Sequence, residues 1–180
     1  MKALVIYGTR WGGTVNVAQK IGDALKTEGC LIDVVDAKQN PPQNVDSYDL
    51  IIIGSGVRAD KWTKETVNFL EKNSQALKRK KTALFVSCQM ADRVEPEVRD
   101  KAKNQYLEKT AEQYGLKPIG YGFFGGFLDF HHSHALIVDV MVRVNRKSLA
   151  KNGLNTTKVR DTRDWVAIEA WAREIAKTVV

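Results

Sequence analysis

The segment Gly8–Thr14 near the start of the chain combines glycines with hydroxyl side chains. Thr9 and Thr14 can each donate a hydrogen bond through a hydroxyl group. An apolar run precedes the segment and a helical pattern follows it, so backbone amides and a helix N-terminus should face one point. Unpaired amides and the helix dipole both favour an anion there. The spacing predicts a phosphate-binding turn, although a strand–helix turn without phosphate has the same local pattern.

Two further segments that could bind a ligand follow apolar strands. Gly54-Ser55-Gly56 comes directly after the apolar run Leu50–Ile53, and Ser87-Cys88-Gln89-Met90 comes at the end of the run Thr82–Ser87. Because the carboxyl ends of parallel strands meet at one edge of a sheet, these exits should lie beside Gly8–Thr14. We expect the site to be formed by Gly8–Thr14, Gly54–Trp62 and Ser87–Arg93.

The elements that would position these exits alternate between strand and helix. Five strands are predicted, at Ala3–Tyr7, Leu31–Val35, Leu50–Ile53, Thr82–Ser87 and Pro118–Phe124. Four helices are predicted, at Val15–Lys26, Thr63–Asn73, Pro96–Tyr114 and Asp164–Lys177. This alternation predicts an α/β fold with a doubly wound, five-stranded parallel sheet in the order 2-1-3-4-5. The binding edge then lies at the switch point between the first and third strands.

Length and composition limit the remaining possibilities. At 180 residues the chain suits a single domain spanning residues 1–180, with an inserted segment at about 125–163. The sequence shows no signal peptide, and the longest nearly apolar stretch, Ala135–Val144, is too short for a membrane span. Two distant cysteines, Cys30 and Cys88, favour a reducing cytoplasm. The formal net charge of +7 indicates an acidic partner, an anionic ligand or a membrane surface.

The type of phosphate can be narrowed from the first turn. It lacks the Gly-Lys-Ser/Thr of a Walker loop and the G-x-G-x-x-G spacing of a dinucleotide site, so it suits a singly esterified phosphate. The pattern Val5-Ile6-Tyr7-x-Thr9-x-x-Gly12-x-Thr14-x-x-x-Ala18-x-x-Ile21 resembles the flavodoxin signature. The resemblance implies an FMN cofactor whose phosphate is held by Thr9, Thr14 and the amides of Arg10 to Thr14.

The resemblance covers most of the chain. Gly54–Arg58 and the ending Asp164–Ala176 are similar to a flavodoxin-like subfamily that includes menaquinone-dependent protoporphyrinogen dehydrogenases. That subfamily also carries an insertion after the fifth strand, where this chain has Gly125–Arg163. The resemblance implies that Ser55–Asp60 lies near the reactive nitrogen of the flavin, with Gly56 or Ala59 as the residue whose peptide reorients.

The resemblance implies the following cofactor-binding residues: Thr9, Arg10, Trp11, Gly12, Gly13, Thr14, Ser55, Gly56, Val57, Arg58, Ala59, Ser87, Cys88, Gln89 and Met90. Flavodoxins commonly place an aromatic ring against the flavin from the loop after the fourth strand, and Ser87–Ala91 contains none. Trp11, Trp62 or Phe130 could replace it, or one flavin face could be open to a partner or substrate. No catalytic residue and no resident metal are predicted.

Other conspicuous features have ordinary explanations. The basic run Lys78–Lys81 precedes a strand and is expected to be a solvated turn rather than a nucleic-acid site. The three histidines, His131, His132 and His134, are expected to line a surface near the flavin or a partner, although a metal site completed by Asp129 is an alternative. Ala135–Val144 is expected to pack against the protein or form a homodimer contact; membrane association is the less favoured alternative.

Two functions from different classes fit this sequence. In the first, an FMN-binding electron carrier uses its basic surface to dock acidic redox proteins such as ferredoxins. In the second, the FMN protein is an enzyme that oxidises a protoporphyrinogen-like substrate or reduces a quinone, with the insertion forming the pocket. The insertion lacks the dense Arg/Tyr/Trp pattern of the dehydrogenases, which favours the carrier. A third possibility is a flavin or quinone reductase that uses NAD(P)H, but the sequence contains no nucleotide-binding signature for it.

Overall fold

The structure is a computed structural model that describes residues 1–39, 41–128 and 159–179. Its strands are β1 (Lys2–Gly8), β2 (Leu31–Asp36), β3 (Leu50–Arg58), β4 (Lys61–Trp62), β5 (Lys81–Ser87), β6 (Tyr121–Phe124), β7 (Phe127–Leu128) and β8 (Arg160–Asp161). The main sheet has the order β2-β1-β3-β5-β6, and its neighbours along this path are parallel. Counting only these parallel strands, the order is the predicted 2-1-3-4-5.

The described helices are α1 (Gly13–Thr27), α2 (Lys64–Leu77), α3 (Pro96–Lys103), α4 (Lys109–Tyr114) and α5 (Trp165–Lys177). The helix predicted at Pro96–Tyr114 is interrupted, since a π-helical turn at Asn104–Glu108 joins α3 to α4. Its predicted ends are confirmed: Pro96 lies in the first turn, and Gly115 follows the last turn with φ 64°. Asp164 caps α5 by accepting a hydrogen bond from the Ala167 amide at 3.0 Å.

Helices cover both faces of the sheet, as a doubly wound fold requires. Successive side chains of β1 point to opposite faces, so Leu4 and Ile6 belong to one core cluster and Ala3 and Val5 to the other. The first cluster includes buried residues of α2, the π-helical turn and α4, and the second includes those of α1 and α5. The central strands are therefore buried on both sides, which explains their continuous apolar runs.

The third strand is longer than its apolar run indicates. Residues 54–58 were expected to form part of a loop, but they continue β3, and β4 pairs back antiparallel through Val57 opposite Trp62. Ala59 and Asp60 form the tight turn with φ of 47° and 59°. Two residues with positive φ are typical of a type I′ hairpin turn, normally rich in Asn and Gly. The sequence carries no clear signal for this turn, because neither residue is glycine or asparagine.

Beyond β6, two short segments that are distant in sequence, residues 125–128 and 159–163, pair with each other. β7 pairs antiparallel with β8, with Phe127 opposite Asp161. The Thr162 amide donates to the Gly126 carbonyl at 3.0 Å, and the Gly126 amide donates to the Thr162 hydroxyl at 3.1 Å. We call this joined part, residues 125–128 and 159–163, the neck. The apolar stretch Ala135–Val144, the three histidines, Asp129 and Phe130 lie outside the described residues.

Candidate functional site

The turn Gly8–Thr14 joins β1 to α1 and is closed by its own side chains. The Gly12 amide donates to the Thr9 hydroxyl oxygen at 2.9 Å, and Gly12 adopts φ 81° immediately before the helix. Glycine takes this left-handed conformation without the steric cost of a Cβ. The first amides of a helix have no partner within the helix, so those of α1 are directed at the site. The Thr9 hydroxyl keeps its own hydrogen available for a ligand.

Thr14 of α1 lies beside Gly56 of β3. Thr14 is only 3% exposed, and a Cβ on Gly56 would lie 3.0 Å from its hydroxyl oxygen. A larger residue at position 56 would therefore occupy the space in front of the Thr14 hydroxyl. The predicted roles of the two residues are consistent with this space, because a ligand oxygen could approach Thr14 along it.

A cleft lies at the carboxyl ends of β1, β3 and β5, where the sequence predicts the site. Its lining includes these predicted residues: Thr9, Arg10, Trp11, Gly13, Thr14, Gly56, Val57, Arg58, Ser87, Cys88 and Gln89. It also includes Lys61, Trp62, Thr63, Gly126 and Phe127, which were not among the predicted cofactor-binding residues. The structure thus brings together residues from all three predicted exits and adds the start of the neck.

Four predicted residues are outside this lining. Ser55 is fully buried, where its hydroxyl donates to the Gly56 carbonyl at 2.8 Å and accepts from the Thr63 amide at 2.9 Å. Gly12 shapes the first turn, Ala59 lies in the hairpin turn, and Met90 packs against the first core cluster. Their positions support the cleft; their contact with a ligand stays a prediction.

Gly126 and Phe127 were missed although the sequence carries a signal for them. Gly125-Gly126 follows the fifth parallel strand, and the carboxyl end of that strand meets the same edge as the other exits. The Ser87 hydroxyl donates to the Gly125 carbonyl at 2.8 Å, which joins the neck to β5. A Cβ on Gly125 would lie 1.9 Å from the Thr162 carbonyl oxygen, so the close approach of the two ends of the neck depends on glycine.

Gln89 places unpaired polar atoms in the wall of the cleft. Its side-chain nitrogen and oxygen are both buried and have no hydrogen-bond partner among the described residues. A Cβ on Gly126 would lie 3.0 Å from the Gln89 nitrogen, so the neck closes over this amide. An unpaired buried amide costs about 1–3 kcal/mol for each unsatisfied group. The side chain therefore suits a ligand that offers both hydrogen-bond donors and acceptors.

Cations surround the outer rim of the cleft. The Arg58 guanidinium lies 5.0 Å from the ring centroid of Trp11, whose side chain is 44% exposed. Arg10 and Lys61 are also exposed and line the cleft. We call Arg10, Trp11, Arg58 and Lys61 the cationic rim. A cation over an indole face is a favourable contact, and here it leaves the positive charge accessible to an anionic partner.

Cys88 lines the cleft without the properties of a reactive thiol. Its side chain belongs to the first core cluster, and its amide donates to the Phe124 carbonyl at 3.0 Å. Burial raises the pKa of the Cys88 thiol to about 11. Since the thiolate is the nucleophile, this environment favours the inert interpretation of Cys88.

A tyrosine from the π-helical turn supports the hairpin formed by β3 and β4. The Tyr106 hydroxyl donates to the Asp60 carboxylate, and the Trp62 indole donates to the Tyr106 carbonyl at 2.8 Å. Burial, followed by the hydrogen bond to Asp60, raises the pKa of Tyr106 above its usual value. The π-helical turn, which is distant in sequence, therefore stabilises the turn at Ala59 and Asp60.

Comparison with known proteins identifies the family to which this chain belongs. A family described as flavodoxin domain matches residues 4–148. The chain belongs to the flavodoxin domain family. The structure of a flavodoxin from the domain Archaea is similar to it with a TM-score of 0.58 and 14% identity, covering 99% of both chains. Rubredoxin:oxygen oxidoreductase from Desulfovibrio gigas has a TM-score of 0.59 and 12% identity, and the similarity covers 99% of this chain and 36% of that protein.

Curated relatives of this flavodoxin domain include enzymes. The protoporphyrinogen IX dehydrogenase (quinone) of Escherichia coli strain K12 is 26% identical over 176 residues, covering 98% of this chain and 95% of the enzyme. An uncharacterized protein of Methanocaldococcus jannaschii is 30% identical over 157 residues, covering 84% of this chain and all of that protein. Among the described residues, no helix is both long and apolar enough to cross a membrane.

Proposed function

We propose that this flavodoxin domain binds FMN in the cleft and transfers electrons between redox proteins. The turn Gly8–Thr14 is the single observation that carries the proposal. It offers the Thr9 and Thr14 hydroxyls and the first amides of α1 at one point, with no lysine among them. A turn of hydroxyls and amides at a helix N-terminus suits the phosphate of FMN.

The other parts of the cleft suit the flavin ring. The unpaired Gln89 amide can both donate to and accept from the polar edge of the ring, and Gly126 lets the neck pack closely against this amide. Trp11 and Trp62 both line the cleft and supply aromatic surface. FMN supplies the redox chemistry when bound, because its ring system accepts and releases electrons. The chain would hold it, orient it and limit its contact with water.

The cationic rim favours an acidic protein as the electron-transfer partner. Arg10, Arg58 and Lys61 place positive charge around the opening of the cleft, and the whole chain carries a formal net charge of +7. Complementary charge raises the rate at which two proteins meet in a productive orientation. A ferredoxin-like protein with an acidic surface has the required chemistry. Two free, buried cysteines suit a reducing compartment, and we infer that this exchange takes place in the cytoplasm.

A second candidate function is the oxidation of a porphyrinogen-like substrate with a quinone as acceptor. The match to protoporphyrinogen IX dehydrogenase (quinone) covers 98% of this chain, and it therefore includes part of the segment that leaves from the neck. Gly126 and Phe127 of the neck line the cleft, and β7 pairs with β8 on the other side of the neck. Basic residues of the rim could hold the carboxylates of such a substrate.

Two measurements test these proposals in turn. Titration of the ligand-free protein with FMN and with riboflavin should give much tighter binding of FMN; equal affinities would refute a phosphate site at Gly8–Thr14. The FMN-loaded protein is then reduced without oxygen and mixed with an acidic ferredoxin, or with protoporphyrinogen and a menaquinone analogue. Rapid, salt-sensitive electron transfer to the ferredoxin supports the carrier. Rapid turnover of protoporphyrinogen supports the enzyme instead.

Charge variants show whether the rim is the docking surface. Arg58→Ser combined with Lys61→Ser should slow electron transfer to the acidic ferredoxin by about tenfold at low salt, because each removes a steering charge. Lys78→Ser combined with Arg79→Ser is the matched control, since it also removes two charges and both residues are exposed near the other end of the sheet. Equal slowing by the control would show that net charge, and not the cationic rim, determines the rate.

A further inference from the structure

Arg163 is a buried cation at the point where the neck meets the phosphate turn. Its side chain is only 5% exposed. Its Nε and one terminal nitrogen donate to the two carboxylate oxygens of Asp161 at 2.7 and 2.6 Å. The other terminal nitrogen donates to the Gly13 carbonyl at 3.0 Å. The guanidinium carbon lies 4.7 Å from the ring centroid of Phe127 and 4.6 Å from that of Trp165. Arg163 thus has a partner on every side.

The bond from Arg163 to Gly13 acts on the phosphate turn directly. The Gly13 carbonyl and the Thr14 amide belong to one peptide unit, so a donor on the oxygen also fixes the direction of the N–H group. A charged donor polarises this peptide, which makes its N–H a stronger donor in turn. The Thr14 amide belongs to the first turn of α1, where amides have no helical partner and can bind an anion.

Electrostatics at this position favour an anion. The first turn of α1 contains no acidic residue, and a cation beside a helix N-terminus is opposed by the helix dipole. Asp161 offsets the charge of Arg163 from the neck side only. A phosphate at the turn would offset both the guanidinium and the dipole.

The neck also touches the turn by close packing. A Cβ on Gly13 would lie 3.2 Å from Cβ of Phe127, and the Phe127 ring stacks on Arg163. Any movement of the neck would therefore move both the carbonyl partner and the wall of the turn. The neck is therefore coupled to the turn in two ways, by the hydrogen bond from Arg163 to Gly13 and by the packing of Phe127 against Gly13.

We propose that Arg163 is a positioning residue for phosphate recognition: it holds the Gly13–Thr14 peptide with its N–H facing the phosphate, and so ties recognition to the neck. The inference rests on the proposed function, in which this turn binds the FMN phosphate. It extends that function by assigning the selectivity for FMN over riboflavin in part to a residue far along the chain. Arg163 does not itself line the cleft among the described residues, so its effect is transmitted through Gly13.

The test measures binding of FMN and riboflavin to the full chain by quenching of flavin fluorescence. Arg163→Met keeps the length of the stem but removes the charge and all the donors. Arg163→Lys keeps the charge but cannot bond Asp161 through a fork and Gly13 at the same time. Arg160→Met is the matched control, because Arg160 lies in the same part of the neck, three residues before Arg163, and pairs with Asp92 at 2.7 Å. Thermal unfolding of each ligand-free variant shows that it is folded.

We expect Arg163→Met to weaken FMN binding about tenfold and riboflavin binding less than about twofold, as for loss of one charge-assisted hydrogen bond to the phosphate site. The FMN affinity of Arg163→Lys should fall between those of wild type and Arg163→Met. If Arg163→Met does not fold, Arg163→Lys is used as the test variant in its place. Arg160→Met should bind both ligands as wild type does. Equal weakening of FMN and riboflavin in the Arg163 variants, or no weakening, overturns the inference. A wild-type protein without preference for FMN overturns the proposed function instead.

Discussion

The two ends of the cleft are built in different ways. The phosphate turn is closed by a bond between neighbours, from the Gly12 amide to the Thr9 hydroxyl. The hairpin of β3 and β4, at the other end, is fixed by residues distant in the chain, since Tyr106 bonds Asp60 and accepts from Trp62. One end is therefore a local motif and the other a product of tertiary packing.

This difference has a consequence for function. The bond between Thr9 and Gly12 can keep the first part of the turn in place while the surroundings change, whereas the Gly13–Thr14 peptide also depends on Arg163 of the neck. The hairpin can be altered from outside the cleft, through the π-helical turn, without changing a residue in contact with the ligand. We expect substitutions at the turn to change affinity and those beneath the hairpin to change local stability.

Gly8→Ala should have the largest effect because Gly8, at the end of β1, packs closely against two threonines that follow the hairpin. A Cβ on Gly8 would lie 1.9 Å from the Thr63 hydroxyl oxygen and 2.2 Å from that of Thr66, and both threonines are buried. We expect a loss of about 3 kcal/mol in the free energy of unfolding, measured by urea titration. Gly29→Ala is the control: its Cβ meets nothing within 4 Å, and only its φ of 80° makes alanine unfavourable. A smaller loss at Gly8 than at Gly29 would contradict the close packing of the joint.

Thr9→Val combined with Thr14→Val should act on the phosphate end alone. Each change removes a hydroxyl donor at nearly constant volume, and hydrogen bonds to a charged group contribute about 1.5–3 kcal/mol. FMN should therefore bind about 100-fold more weakly, while riboflavin, which lacks the phosphate, changes little. Thr27→Val is the matched control, since the Thr27 hydroxyl bonds the Asp23 carbonyl at the far end of α1. Unchanged FMN affinity in the double variant would remove the basis of the phosphate site.

Tyr106→Phe should loosen the hairpin end and leave the phosphate turn intact. Loss of the hydroxyl that bonds Asp60 should cost about 1 kcal/mol, because the carboxylate stays accessible to water. The turn residues Ala59 and Asp60 lie between Arg58 and Lys61, so local opening can be followed as faster trypsin cleavage after these two basic residues. Tyr114→Phe is the control, since its hydroxyl meets only the Gln113 amide at 3.4 Å. Equal cleavage rates in both variants would show that Tyr106 does not hold the turn.

The same contrast explains how far the sequence could predict the molecule. Val5, Ile6, Leu50 and Ile53 lie in runs whose length and composition are enough to indicate buried parallel strands, and the strand order follows from their alternation with helices. The turn between β1 and α1 was predictable because Thr9 and Gly12 interact with each other; its binding of a phosphate stays a prediction.

The hairpin turn and the contact of Arg163 with Gly13 could not be predicted in this way. Ala59 and Asp60 adopt positive φ because Tyr106, 46 residues away from Asp60, stabilises the turn, and no local pattern records that contact. Arg163 reaches Gly13 across 150 positions of sequence. Contacts of this kind depend on the folded sheet, so a pattern of neighbours carries no signal for them.

The smallest effect is expected at Cys88, which lies beneath the cleft between the two ends. Burial raises its thiol pKa from 9.0 to about 11, so the native state keeps a proton that the unfolded chain releases. The resulting stabilisation is fully present below pH 9 and is lost as pH rises, since the unfolded chain gains by ionising first. Between pH 9 and 10 the wild type should therefore lose about 1 kcal/mol more unfolding free energy than Cys88→Ala does. Cys30→Ala is the comparison: burial also raises the pKa of the Cys30 thiol, but by less than for Cys88, so this variant should lose nearly as much stability as the wild type. If wild type and Cys88→Ala lost stability equally over this interval, the thiol would be exposed to water and able to react at the cleft.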